Sequence, residues 1–149
     1  MKMDFTPTTF KALEISCIAH DGQKDLAGKP YILHPLYVAN RVKTEEEQIV
    51  ALLHDVLEDS KITVDDLREY FDENIVDAIL LLTRNPKEDY QEYIERLAAN
   101  PIARHVKIAD LDHNMDLTRL TVVKKADLRR MERYHKAWRY LKTYEKRAC

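Results

Sequence analysis

Two glycines serve the whole 149-residue chain, and both, Gly22 and Gly28, fall in one loop. The rest is rich in Ala, Leu, Glu, Lys and Arg, residues at the favourable end of the helix scale. That combination predicts an all-α fold.

Helix starts and stops divide the chain accordingly. Residues 8–20 read as a first helix after Pro7, with Phe10, Leu13, Cys17 and His20 on or near one face. Residues 22–33, GQKDLAGKPYIL, read as a loop. Pro35 opens a second helix to about residue 43, with Val38 and Val42 inward. Thr44 with Glu47 forms a capping-box signal for a third. Thr63 with Asp66 starts a fourth, with Leu67 and Phe71 inward. Asp72 caps a fifth, whose core residues are Ile75, Val76, Ile79, Leu80 and Leu82; Asn85-Pro86 ends it. Residues 90–99 form a sixth. Pro101 opens a seventh, with Ile102, Val106, Ile108, Ala109 and Leu111 on its apolar face. Residues 124–146 close the chain as a long amphipathic helix with Leu128, Met131, Tyr134, Trp138 and Leu141 as its buried stripe. The expectation is about eight helices in one domain, residues 1–149.

Chemistry concentrates in the third helix. Residues 49–60 read IVALLHDVLEDS. Ile49, Leu52, Leu53 and Val56 follow helical spacing, and Val50 and Leu57 extend the apolar surface most of the way round. The spacing predicts one buried helix, yet it carries His54, Asp55, Glu58 and Asp59. Buried ionisable groups are costly without partners, and a bound cation is one such partner. His54 and Asp55 can reach a single ion, and Glu58 and Asp59 each follow one of them by a turn. The competing reading is a salt-bridged helix end at the surface.

Residues 107–115, KIADLDHNM, repeat the pattern of an apolar run broken by Asp110, Asp112, His113 and Asn114. Asp110 and Asn114 share a face, and Asn114 offers both a donor and an acceptor to a ligand. Periodicity does not decide between Asp110 and Asp112. With Asp110, the set His34, His54, Asp55 and Asp110 supplies two imidazoles and two carboxylates, suited to Mn²⁺, Fe²⁺ or Zn²⁺. His113 reads as a neighbour of the ligands, and His20 as a helix-end or packing residue. His105 and His135 lie on polar stretches and read as exposed.

Other classes are disfavoured. A formal net charge of -2 gives no footprint for nucleic acid. No apolar run is long enough to span a membrane. The first ten residues, MKMDFTPTTF, do not form a signal peptide. Two cysteines, Cys17 and Cys149, make no disulfide framework. A cytoplasmic protein is expected.

The motifs AHDGQ at 19–23, GKPYILHP at 28–35, HDVLED at 54–59 and KIADLDHNM at 107–115 resemble, in order and spacing, those of the HD-domain hydrolases of the RelA/SpoT group. The resemblance spans about residues 8–120. It implies an HD-type helical bundle around a central metal site, and removal of the 3′-pyrophosphate from guanosine tetra- and pentaphosphate. It implies one divalent metal, Mn²⁺ before Fe²⁺ or Zn²⁺, held by His34, His54, Asp55 and Asp110, and so selects Asp110 over Asp112. It assigns the water-activating acidic pair to Glu58 and Asp59, and nucleotide contact to Asn114 and to Lys24. By charge rather than by resemblance, Lys29 and Arg41 are further candidates to neutralise the phosphates. Long members carry an Arg-Lys pair in the loop where Asp25 and Leu26 stand, which implies altered base recognition. KDLAGKPYI is closer to the small stand-alone hydrolases. With the chain ending near residue 149, no synthetase domain and no synthesis are expected.

The expected partner is a small nucleotide, not nucleic acid or membrane, and the oligomeric state is open. Two other readings stand beside it. One is an HD phosphohydrolase for another phosphorylated nucleotide, such as a 2′-phosphorylated nicotinamide nucleotide. The other is a non-catalytic nucleotide-binding module, which the presence of Glu58 and Asp59 opposes.

Overall fold

The computed structural model describes residue 3 and residues 5–149. Among these, nine α-helices follow in order: α1 (Pro7–Ala19), α2 (Leu33–Ala39), α3 (Glu45–Leu53), α4 (Val56–Asp59), α5 (Val64–Arg68), α6 (Glu73–Leu82), α7 (Tyr90–Ala98), α8 (Pro101–Asn114) and α9 (Lys125–Ala148). A 3₁₀ turn, Leu117–Arg119, precedes α9. No strand forms among the described residues, only an isolated bridge between Lys24 and Pro30. The fold is all-α.

The capping signals act where they stand. The Thr44 side chain accepts from Glu47 N while Glu47 bonds back, and Thr63 and Asp66 do the same at α5. Asn100 caps α8 ahead of Pro101. Such a cap stabilises a helix by about 1 kcal/mol. Asp72 holds the N-cap position of α6 but its side chain makes no capping bond. The two glycines sit at φ 74° and 78°, where other residues would be strained.

α3 is the central helix. It packs against α1, α2, α6 and α8, and Ile49, Val50, Ala51, Leu52 and Leu53 are all buried. Full burial of a Leu stabilises by roughly 1.5–3 kcal/mol, so Leu52 and Leu53 anchor the segment that leads into His54. Tyr93, Ile94, Leu97, Val106 and Leu111 extend the same core from α7 and α8.

The packing corrects several expectations. Residues 49–60 are not one helix: α3 ends at Leu53, and α4 begins at Val56. The His54 ring Nδ1 bonds the Ala51 carbonyl at 2.6 Å. A continuous helix would offer that carbonyl to the Asp55 N–H. The break raises the helix count from eight to nine. α2 is also shorter than expected, ending at Ala39.

In α1 the inner face is Thr9, Ala12 and Ser16. Phe10 and Cys17 are exposed, and Phe10 meets Phe5 outside the core at a 5.4 Å ring separation. The small residues face the core. Leu80 and Leu128 are likewise exposed, and α9 buries only Asp127, Ala137 and Leu141 fully.

Candidate metal centre

The break after α3 aims His54 and Asp55 at α2 and α8. The His54 Nε2 lies 3.1 Å from Asp55 Oδ2 and 3.6 Å from Asp110 Oδ1. His34 Nε2 lies 2.9 Å from Asp110 Oδ1 and 3.9 Å from Asp55 Oδ2. Donor atoms sharing an ion at bonds near 2.0–2.2 Å stand roughly 2.9–3.5 Å apart. The His34, His54 and Asp110 donors all lie within 4.8 Å of one another, and all three residues are buried.

The fit to a cation shows in the hydrogen bonding. His54 Nδ1 is engaged by Ala51, while its Nε2 is buried and makes no hydrogen bond. A buried imidazole nitrogen is rarely left so. With the proton on Nδ1, the Nε2 lone pair is free for a metal.

Charge points the same way. Burial disfavours a charged His54, yet Asp55 and Asp110 outweigh it and hold its pKa well above the ordinary value. Burial would also raise the Asp55 carboxyl, but His54 beside it keeps it below the usual range. The carboxylates call for positive charge at this point. A proton on His54 supplies it, and so would a divalent cation.

Side chains around the set hold it in place. The Tyr31 hydroxyl donates to Asp55 Oδ2 at 2.5 Å, and burial followed by the Asp55 charge pushes its own pKa up. Lys107 donates to Asp110 Oδ2 at 2.8 Å, and Asn114 Nδ2 to Asp110 Oδ1 at 2.8 Å. His113 lies beneath His34, and its ring stacks on Tyr37 with centres 3.8 Å apart. Asp112, by contrast, is exposed.

Glu58 and Asp59 stand beside this set. Glu58 Oε1 accepts from the Arg84 N–H at 2.6 Å, and Asp59 Oδ2 accepts from Gln23 Nε2 at 3.0 Å. Although Glu58 is open to solvent, partial desolvation of its carboxyl raises its pKa, and nearby Asp55 and Asp59 add to this. Gln23 is itself bound to His20 at 2.7 Å. His20 therefore packs as expected and also supports Asp59.

A cleft of about 330 Å³ opens next to His34. Lys24 and Asn114 line it, together with Tyr31, Arg119, Arg130 and Tyr134. Lys29 and Arg41 are not among the lining residues; Arg41 lies over the Tyr37 ring, 4.7 Å from its centre. Asp25, at the departure from the long members' pattern, accepts from Ala27 and Lys29 N–H groups and faces Arg119 at 3.5 Å. His135 is exposed as expected, but His105 is not free: its nitrogens meet Glu47 at 2.6 Å and Glu145 at 2.9 Å.

Sequence reasoning assigned no role to Gln23, Tyr31 or Lys107. The signal for Lys107 was its i, i+3 spacing to Asp110 on one helix. Nothing local marked Gln23, whose partner lies 36 residues on.

No family model matches the chain. A GTP pyrophosphokinase of Myxococcus xanthus is 33% identical over 123 residues, 70% of this chain and 16% of the relative. A guanosine-3′,5′-bis(diphosphate) 3′-pyrophosphohydrolase of Aquifex aeolicus is 33% identical over 112 residues, 67% of this chain and 16% of the relative. One of the same name from Borreliella burgdorferi is 42% identical over 74 residues, 47% of this chain and 11% of the relative. The chain thus spans about a sixth of the length of these curated relatives or less. A solved structure described as a metazoan ortholog of SpoT that hydrolyses ppGpp matches with TM-score 0.72 and 22% identity, over 92% of this chain and 86% of that one. The fold is therefore shared almost throughout, and by sequence this chain is a relative of the RelA/SpoT proteins, corresponding to one stretch of their much longer members.

Proposed function

We propose that this chain is a metal-dependent hydrolase that removes the 3′-pyrophosphate of guanosine tetra- and pentaphosphate. The products are GDP or GTP and pyrophosphate. The observation that carries this reading is the buried set of His34, His54 and Asp110, with Asp55 Oδ2 3.1 Å from His54 and the unbonded His54 Nε2 beside both carboxylates. The names of the Aquifex and Borreliella relatives support the substrate. The Myxococcus relative bears the name of the opposite reaction. Hydrolysis is preferred because the site combines a metal-ligand set with an acidic pair.

In this reading His34, His54, Asp55 and Asp110 hold one divalent cation, Mn²⁺ first, with Fe²⁺ or Zn²⁺ also compatible with mixed N/O donors. Such a cation acidifies water and polarises a phosphoryl oxygen. Glu58 takes the proton from the attacking water, since its raised pKa brings it nearer to neutral pH than an ordinary carboxylate. Asp59, oriented by Gln23, positions that water. Lys24 and Asn114 bind the nucleotide in the cleft. The chain acts as one domain over residues 1–149, on a small molecule, in the cytoplasm. No helix among the described residues is long and apolar enough to cross a membrane.

The test is release of pyrophosphate from guanosine tetraphosphate by the Mn²⁺-loaded protein, with and without chelator. Chelator-sensitive release is expected; no release with any divalent metal would overturn the reading. A second reading, hydrolysis of another phosphorylated nucleotide such as a 2′-phosphorylated nicotinamide nucleotide, is favoured by Asp25. Its carboxylate is committed to the loop backbone and to Arg119. A substrate panel separates the two.

A further inference from the structure

Next to Tyr134, at the wall of the cleft, stands a group of donors that the metal set does not use. The Tyr90 ring lies 6.2 Å from that of Tyr134. Two guanidinium groups lie over it, Arg84 at 5.3 Å and Arg133 at 4.9 Å from its centre. Lys107 Nζ lies 5.2 Å from the centre of the Tyr93 ring, which is itself 5.8 Å from that of Tyr90. Lys107, its side chain only 12% exposed, donates a hydrogen bond to Asp110. At the other end, the Arg84 N–H holds Glu58. The group therefore runs from the acidic pair to the metal set.

Two of its atoms are unsatisfied. Tyr90 Oη and Arg84 Nε are both buried, and neither has a hydrogen-bond partner. Buried polar atoms are nearly always paired. Arg84 Nε can only donate, and the Tyr90 hydroxyl can donate as well as accept, so one acceptor satisfies both. The Arg84 guanidinium spends Nη2 on the Glu88 main-chain carbonyl, not on a carboxylate. Cations and vacant donors beside a metal set suit a phosphoryl anion, which offers acceptors only.

We propose that Arg84, Tyr90 and Lys107 form a subsite for the phosphoryl chain that is removed, distinct from the nucleoside contacts at Lys24 and Asn114. The terminal phosphate accepts from Tyr90 Oη and Arg84 Nε, and Lys107 offsets charge beside Asp110. The inference rests on the hydrolase reading and names the residues that hold the pyrophosphate it releases.

Calorimetric titration of the metal-loaded protein with inorganic pyrophosphate, and separately with GDP, tests it. Tyr90→Phe and Arg84→Gln leave every proposed metal ligand in place, so elemental analysis should find their metal unchanged, and melting curves confirm folding. Tyr90→Phe should weaken pyrophosphate binding about three- to ten-fold, and Arg84→Gln about ten-fold or more, with GDP affinity unchanged. The proposal falls if the parent protein does not bind pyrophosphate, if both variants bind it as tightly as the parent, or if GDP affinity drops equally. If guanosine tetraphosphate is not cleaved while pyrophosphate binding still depends on Tyr90 and Arg84, the hydrolase reading fails and the anion subsite stands.

Discussion

His34 and His113 face each other through their Nδ1 atoms, 2.7 Å apart, with rings within 7° of parallel. Only one of the two nitrogens can carry the shared proton. For His34 Nε2 to offer a lone pair to a cation, that proton must sit on His34. His113 then accepts, and it must be neutral to do so. Burial first, then the charge of Arg119, push the His113 pKa down to about 4. His113 thus sets the tautomer of His34 without touching the proposed ion.

Metal content should divide the histidines. His54→Ala and Asp110→Ala are expected to lose the ion. His113→Ala should keep it at saturation while its affinity drops about 10–100-fold, the usual effect of removing a group that orients a ligand. Elemental analysis after dialysis against graded metal buffers measures this. Full occupancy in both His54→Ala and Asp110→Ala would show the ligand assignment to be wrong.

Glu58→Gln should keep metal and nucleotide binding and lose turnover by about 10²–10⁴-fold, the usual scale of general-base assistance. Asp59→Asn should fall on the same scale or somewhat less. Gln23→Ala removes the bond that orients Asp59 together with the one to His20, and touches no proposed metal ligand. Its kcat should fall more mildly, with KM and metal unchanged. Wild-type kcat in both Glu58→Gln and Asp59→Asn would make the acidic pair structural.

Lys24 lines the cleft, whereas Lys29 and Arg41 do not. Removing a charge-assisted contact costs about 1.5–3 kcal/mol. Lys24→Ala should therefore raise KM roughly ten-fold or more with metal content intact, and the other two alanine variants should leave KM near that of the parent. Steady-state kinetics on the preferred substrate decide it. An unchanged KM for Lys24→Ala would move the phosphate contact elsewhere.

His105 joins Glu47 at the start of α3 to Glu145 near the end of α9. Burial lowers its pKa, but the two carboxylates outweigh burial and raise it. A raised folded pKa gives stability that is fully present below the unfolded value of about 6.5 and is lost as pH rises through the folded value. Glu47 and Glu145 are shifted down: burial opposes the shift at Glu47, and His105 and Arg104 drive it at Glu145. Their share is lost instead as pH falls into the carboxylate range. The ring is partly exposed, so solvent screening limits the effect to about 0.5–1 kcal/mol. Urea unfolding at about pH 6 and about pH 9 should show that loss in the parent and not in His105→Gln. Equal losses in both would exclude the bridge as its source.

Much of the fold is local and therefore readable from sequence. Thr44 with Glu47, Thr63 with Asp66, and Asn100 with Pro101 mark helix starts because each interaction closes within a few residues. The buried run from Ile49 to Leu53 is readable for the same reason, since it is apolar on every side. The motif order that carries His34, His54, Asp55 and Asp110 also pointed to one site, but only through the resemblance to the HD-domain hydrolases, since periodicity left Asp110 and Asp112 equal.

Only the tertiary structure decided the rest. Local spacing offered α1 a face with Phe10 and Cys17, but packing buried Thr9, Ala12 and Ser16 instead. His54 takes the Ala51 carbonyl and so ends α3 where periodicity would continue it. His34 with His113, Gln23 with Asp59, and His105 with Glu145 lie 79, 36 and 40 residues apart in the chain. No rule of spacing reaches that far: a helix pattern states which side chains turn inward, and only the approach of another helix determines which of them meet.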